Sequence, residues 1–253
     1  MKEILLKGTN ICKSFQENGA EPRILQSVNV EIYKGDFTII MGASGAGKST
    51  LLYALSGMDS ITDGEILYKG QPLNRLSENR KAALRAREFG FVFQQTHLVS
   101  NLTLFENVAV AGYMTKTAGP KEVRQRAREL LKLMHVENAK DRLPSQVSGG
   151  EAQRAAIARA MIGDPGLIFA DEPTGALNKS NSEEVLNLLS RLHENGQSIL
   201  MVTHDAKAAV RGNRILYLED GQILDELTLP AFREEDARAR EDKISVWLSS
   251  LQW

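Results

Sequence analysis

Gly42-Ala43-Ser44-Gly45-Ala46-Gly47-Lys48-Ser49-Thr50 fills every position of the pattern G-x-x-x-x-G-K-[ST]. The apolar run 37–41 before it predicts a strand, and the residues 48–56 after it predict a helix. That context separates a phosphate-binding loop from a chance glycine-rich turn. Glycines let the backbone curl so that successive N–H groups face an anion, and the following helix N-terminus adds partial positive charge. Lys48 is then placed for the β and γ phosphates of a nucleotide, and the Ser49 hydroxyl for Mg²⁺. Gly42, Ser44, Gly45, Gly47 and Thr50 complete the candidate cradle.

Beyond the loop, 167–170 and 198–202 are also continuous apolar runs. Unbroken apolarity suits parallel strands covered on both faces. Helical patterns occupy 120–134, 150–161 and 182–193. In the first of these Val123, Ala127, Leu130, Leu131 and Met134 mark a buried face, while Lys121, Glu122, Arg126, Arg128 and Glu129 mark a wet one. Shorter strands at 4–7, 28–32 and 66–68 make the first third β-rich. The expected fold is α/β: a phosphate-loop NTPase core with a parallel sheet, an antiparallel β region at the N-terminus and an inserted helical subdomain between about 71 and 163.

Two further segments carry chemistry. The run 167–170 delivers Asp171 and Glu172 at a strand's C-terminal end, where ligands gather in open α/β sheets. Asp171 suits the Mg²⁺ shell, and Glu172 suits orienting or deprotonating an attacking water near a γ phosphate. Ser148-Gly149-Gly150-Glu151 opens a predicted helix. Small residues there admit an anion to backbone N–H groups, while Ser148 with Glu151 also satisfies a capping box. The two readings are compatible.

Composition excludes several classes. Thirty-one Lys plus Arg against 32 Asp plus Glu give a net charge of −1, so no global field recruits nucleic acid or anionic lipid. The single cysteine, Cys12, permits no internal disulfide, in keeping with a reducing compartment. The apolar runs fall far short of the roughly 20 residues that a membrane span needs, and no signal peptide is expected.

The phosphate loop, Ser148 to Arg154, Asp171-Glu172 and His204, in that order, resemble the ATP-binding cassette (ABC) proteins over about residues 5–227. The resemblance implies one ATPase domain over 1–227, with 228–253 as a tail. It implies that Phe15 stacks on adenine, that Gln94 is the Q-loop glutamine contacting Mg²⁺ and water, with Gln95 as neighbouring competitor, and that His204 holds the γ phosphate. It also implies that Ser148 and Gly150 cap the γ phosphate bound by a second copy of the chain. ATP and Mg²⁺ are the expected cofactors. The other expected partner is an integral-membrane permease, which places the chain on the cytoplasmic face of the membrane. Glu151 stands where many relatives have Gln, and Asn178 where the usual D-loop has Asp.

Phe169 to Asn178, Ser148 to Glu151 and Leu102 to Val108 resemble the branch containing macrolide exporters, lipoprotein-release ATPases and bacitracin-type peptide-resistance ATPases. The ending Ala176-Leu177-Asn178 favours peptide resistance. In the tail, 232–243 is dense in both charges and is expected to be solvated, whereas Ile244, Trp247, Leu248 and Leu251 recur at helical spacing, with Trp253 terminal. Docking on the chain's own core or on a partner both satisfy that pattern.

Overall fold

A computed structural model describes residues 2–14 and 23–251. They form two units, Met1–Ser77 with Gly196–Trp253, and Glu78–Asn195. The first opens on β1 (Ile4–Ser14) and β2 (Arg23–Tyr33), paired antiparallel with Leu6 opposite Ile32 and Gly8 opposite Val30. Both strands exceed the lengths read from sequence. In β1 the register shifts between Gly8 and Ile11, and Asn10 has a φ of 50°, so an irregularity breaks the alternation that would have marked the continuation.

β3 (Phe37–Met41) follows, then α1 (Lys48–Leu55), β4 (Asp63–Tyr68) and the short β5 (Gln71–Pro72). Strand order β2-β1-β4-β5 makes an antiparallel sheet. Every residue of β3 is buried, as continuous apolarity predicts for a strand covered on both faces. Leu51, Leu52 and Leu55 of α1 are fully buried. Each such side chain contributes roughly 2 kcal/mol by leaving water.

The second unit contains α2 (Glu78–Glu88), β6 (Phe89–Phe93), α3 (Leu104–Thr115), α4 (Pro120–Leu133), α5 (Gly149–Met161), β7 (Leu167–Asp171) and α6 (Lys179–Glu194). β6 and β7 pair in parallel, Phe93 opposite Asp171. Phe89, Phe91 and Phe169 stack or meet edge to face within that pair. The stretch 71–163 therefore holds β5 and β6 besides its helices. α4 buries Val123, Ala127, Leu130 and Leu131 as its periodicity requires. Arg126 departs from the wet face: its guanidinium donates to the carbonyls of Ile162 (2.9 Å) and Met161 (3.3 Å) at the C-terminal end of α5.

The chain returns to the first unit through β8 (Ser198–Val202), α7 (Ala206–Ala209), β9 (Arg214–Glu219), β10 (Gln222–Thr228) and α8 (Ala237–Ser250). β3 lies parallel to both β8 and β9, while β10 is antiparallel to β9, giving a mixed sheet. In α8, Ile244 and Leu248 are buried, and the Trp247 indole donates to Asp225 at 2.8 Å and meets Tyr217 edge to face. The tail docks on its own unit. Arg240, within the stretch expected to be solvated, is 5% exposed and donates to the carbonyls of Val210, Pro230 and Gly212.

Candidate nucleotide site

In the first unit the loop after β3 is held by positions only glycine fills easily. Gly42 has a φ of 155°, and a Cβ there would lie 2.0 Å from the Leu218 carbonyl oxygen. Gly47, with φ 99°, caps α1 without a side chain. Lys48 is buried, and its Nζ donates to the carbonyls of Gly42 (2.8 Å) and Ala43 (2.9 Å), so the loop curls round its own ammonium. Ser44 and Gly45 are exposed, while Ser49 and Thr50 are half-buried in the first turn of α1, which contains no acidic residue. That end is electrostatically open to an anion.

His204 belongs to the same edge. β3 and β8 run in parallel register, Ile40 opposite Val202, and the Thr203 N–H donates to the Ile40 carbonyl at 3.1 Å. The phosphate loop and exposed His204 thus leave the C-terminal ends of adjacent strands. Thr203 Oγ1 accepts the Asp205 N–H, and Asp205 accepts that of Lys207 at the start of α7. Phe15 lies outside the described residues, as does Trp253.

In the second unit the register Phe93 to Asp171 sets exposed Gln94 beside half-buried Asp171 and Glu172. Glu172 has a φ of 45°, a conformation that costs a residue bearing a Cβ and that clusters where function demands it. Gly175 gives the Gln94 side chain its space, since a Cβ at 175 would lie 2.9 Å from Gln94 Nε2. Beyond Gln94, the Arg159 guanidinium donates to the carbonyls of Thr96 (2.8 Å) and His97 (2.7 Å). Its burial lowers the pKa of Arg159 from the ordinary value.

The Ser148 segment caps α5 as its sequence predicts. Ser148 Oγ accepts the Glu151 N–H, and Glu151 Oε2 accepts both the N–H and the hydroxyl of Ser148 at 2.8 Å. These bonds hold the Glu151 carboxyl below its ordinary value of 4.5. Ser148 is exposed, whereas Gly150 is buried against Asn181: a Cβ at 150 would lie 2.4 Å from Asn181 Oδ1. Gly150 therefore has a reason within its own chain to lack a side chain. Asn178 supplies the helix cap of α6, its Oδ1 accepting the Asn181 N–H at 3.0 Å. Asp or Asn meets that need alike.

Sequence reasoning missed Asn181, the Arg154–Glu184 ion pair and Gln153. A signal existed for Gln153: it stands between Ala152 and Arg154 in an alanine-rich helix, where one long amide among small buried residues calls for partners.

The sequence profile of the ABC transporter family matches residues 25–175. The chain resembles the dimeric MJ0796 ATP-binding cassette, solved in a post-hydrolysis state with ADP and Pi, with TM-score 0.83 and 38% identity over 90% of this chain and 100% of that one. A second dimeric structure of MJ0796, described as a bacterial ABC transporter cassette, agrees equally in TM-score, identity and coverage. The cbiO1 protein of Clostridium perfringens, described as part of the ABC transporter complex cbiONQ, gives TM-score 0.79 and 26% identity over 90% of this chain and 89% of that one. With its mixed sheet, its antiparallel β region and a family match spanning more than half its length, the chain belongs to the ABC transporter family and is an ATP-hydrolysing cassette subunit.

Proposed function

We propose that two copies of this chain close head to tail over two ATP molecules, and that hydrolysis lets them reopen and move the helices of a separate membrane permease. The cargo class is antimicrobial peptides of the bacitracin or lantibiotic type, resisted or exported. On this reading 1–227 is the ATPase domain, with its helical subdomain within 71–163, and 228–253 is the tail.

The observation that carries the reading is the β6–β7 register, which sets Gln94 next to Asp171 and Glu172 at one sheet edge. Lys48 and the curled loop of Gly42, Ser44, Gly45, Gly47 and Thr50 bind the phosphates, Glu172 orients and deprotonates the water, and His204 steadies the γ phosphate. Phe15 is assigned to adenine by resemblance alone. Ser49, Asp171 and Gln94 offer hard oxygen ligands that fit Mg²⁺. Among the described residues no group of three or more His, Cys, Asp or Glu could hold a metal unaided. Mg²⁺ keeps water and phosphate oxygens in its shell. When bound, the ion neutralises phosphate charge.

The second copy is supported by the dimeric MJ0796 cassettes, and the permease by the place of cbiO1 in a transporter complex. Among the described residues no helix is long and apolar enough to cross a membrane; peripheral attachment at the cytoplasmic face through that permease is assigned by resemblance. The Ala176-Leu177-Asn178 ending supports the peptide branch. Deleting the chain in its source organism is expected to raise sensitivity to bacitracin or a lantibiotic, and the Lys48→Ala form is expected not to restore resistance. Unchanged peptide sensitivity, with lipoproteins retained in the membrane instead, would sink the cargo assignment.

A further inference from the structure

Gln153 of α5 is 1% exposed, and its Nε2 donates to the carbonyl of Phe93 at 2.9 Å and to that of Pro173 at 2.8 Å. Phe93 immediately precedes Gln94, and Pro173 immediately follows Glu172. Carbonyls accept only, so the NH₂ group must face both, and Gln153 Oε1 has no partner among the described residues. A buried amide that uses both donors and leaves its acceptor idle is placed for those two bonds.

We propose that Gln153 is a positioning residue for hydrolysis: it ties the helix opened by Ser148 and Gly150 to the backbone on which Gln94 and Glu172 are mounted. Three observations in the same unit converge on it. Glu172 holds a left-handed backbone conformation, which persists only where neighbours fix it, and the Pro173 carbonyl is one residue away. Gly175, on the same turn, leaves room for Gln94. Beside it on α5, Arg154 pairs with Glu184 and Gly150 packs on Asn181, so the helix is also fastened to α6. A shift of α5, such as engagement of its N-terminus by a second copy would cause, is thereby passed to both residues. Both Gln153 donors are spent on main-chain carbonyls. The effect belongs in turnover and not in ATP affinity.

The inference rests on the roles proposed for Glu172 and Gln94, and its test keeps the two separate. Gln153→Met preserves length and removes both donors. Its kcat is expected to fall by about 10²-fold, the cost of a misplacement near 1 Å, with KM for ATP unchanged. In a Glu172→Gln background Gln153→Met is expected to leave ATP-dependent dimerisation intact. Gln153→Asn keeps the amide but shortens it, and its kcat is expected to lie between those of Gln153→Met and the unaltered chain. Should Gln153→Met not fold, Gln153→Asn with full kcat would overturn the proposal. A folded Gln153→Met with unaltered kcat, or with KM rising as kcat falls, overturns it as well. If Glu172→Gln itself hydrolyses ATP normally, the reading of Glu172 fails, whereas a dead Glu172→Gln beside a fully active Gln153→Met sinks only the positioning role.

Discussion

Ser148 accepts the N–H of Glu151 and leans on that residue's carboxylate, so truncating it removes a helix cap whatever else it does. Ser148→Ala is expected to lower unfolding free energy by ~1 kcal/mol, measured by urea denaturation. The depressed pKa of Glu151 gives the sign of the pH dependence. Its contribution is complete above the ordinary value of 4.5 and is lost as pH falls through the lower folded value, so the gap between Ser148→Ala and the unaltered chain should narrow on acidification. A gap that widens in acid would reject the capping box as its source. For Glu172, replacement by Gln keeps size and removes the proposed base, and hydrolysis should fall steeply while ATP binding persists. Isothermal titration alongside a phosphate-release assay reads both quantities.

The α5 and α6 helices show what was legible and what was not. Ser148 with Glu151 announced the start of α5, because a capping box is local and its spacing is fixed. α6 was expected from residue 182, yet it begins at Lys179, since the cap is Asn178 and the polar first turn hid the apolar period. Asn178→Ala is expected to cost ~1 kcal/mol and Asn178→Asp almost nothing, again by denaturation. The phosphate loop, Asp171-Glu172 and the buried runs β3 and β8 were readable because each is contiguous. Gln153, Asn181 and the Arg154–Glu184 pair were not, because their partners lie 30 to 60 residues away along the chain for Gln153 to Phe93 and Arg154 to Glu184, and only folding selects them. Gly150 changes most in meaning. A carboxylate placed there would collide with Asn181 before meeting any phosphate, so Gly150→Asp mixes two effects.

Taken as a chain, the protein carries one set of nucleotide motifs and a tail bound to its own first unit. Arg240 sits 5% exposed with its guanidinium on three carbonyls. Arg240→Ala should therefore destabilise the fold by ~3 kcal/mol, seen as a lower urea midpoint, because buried acceptors lose a charged donor. On the proposed reading, pairing of two chains depends on Ser148. Ser148→Asp keeps a side-chain acceptor for the helix start but loses the hydroxyl that bonds the Glu151 carboxylate, so its fold is checked by circular dichroism; on the proposed reading it places a carboxylate where a partner's γ phosphate is to approach. The decisive measurement is light scattering of Glu172→Gln in ATP, with and without Ser148→Asp. Glu172→Gln should run as a dimer and the double variant as a folded monomer. A monomer in the first case, or a dimer that ignores Ser148→Asp, would contradict a nucleotide site completed by a second chain.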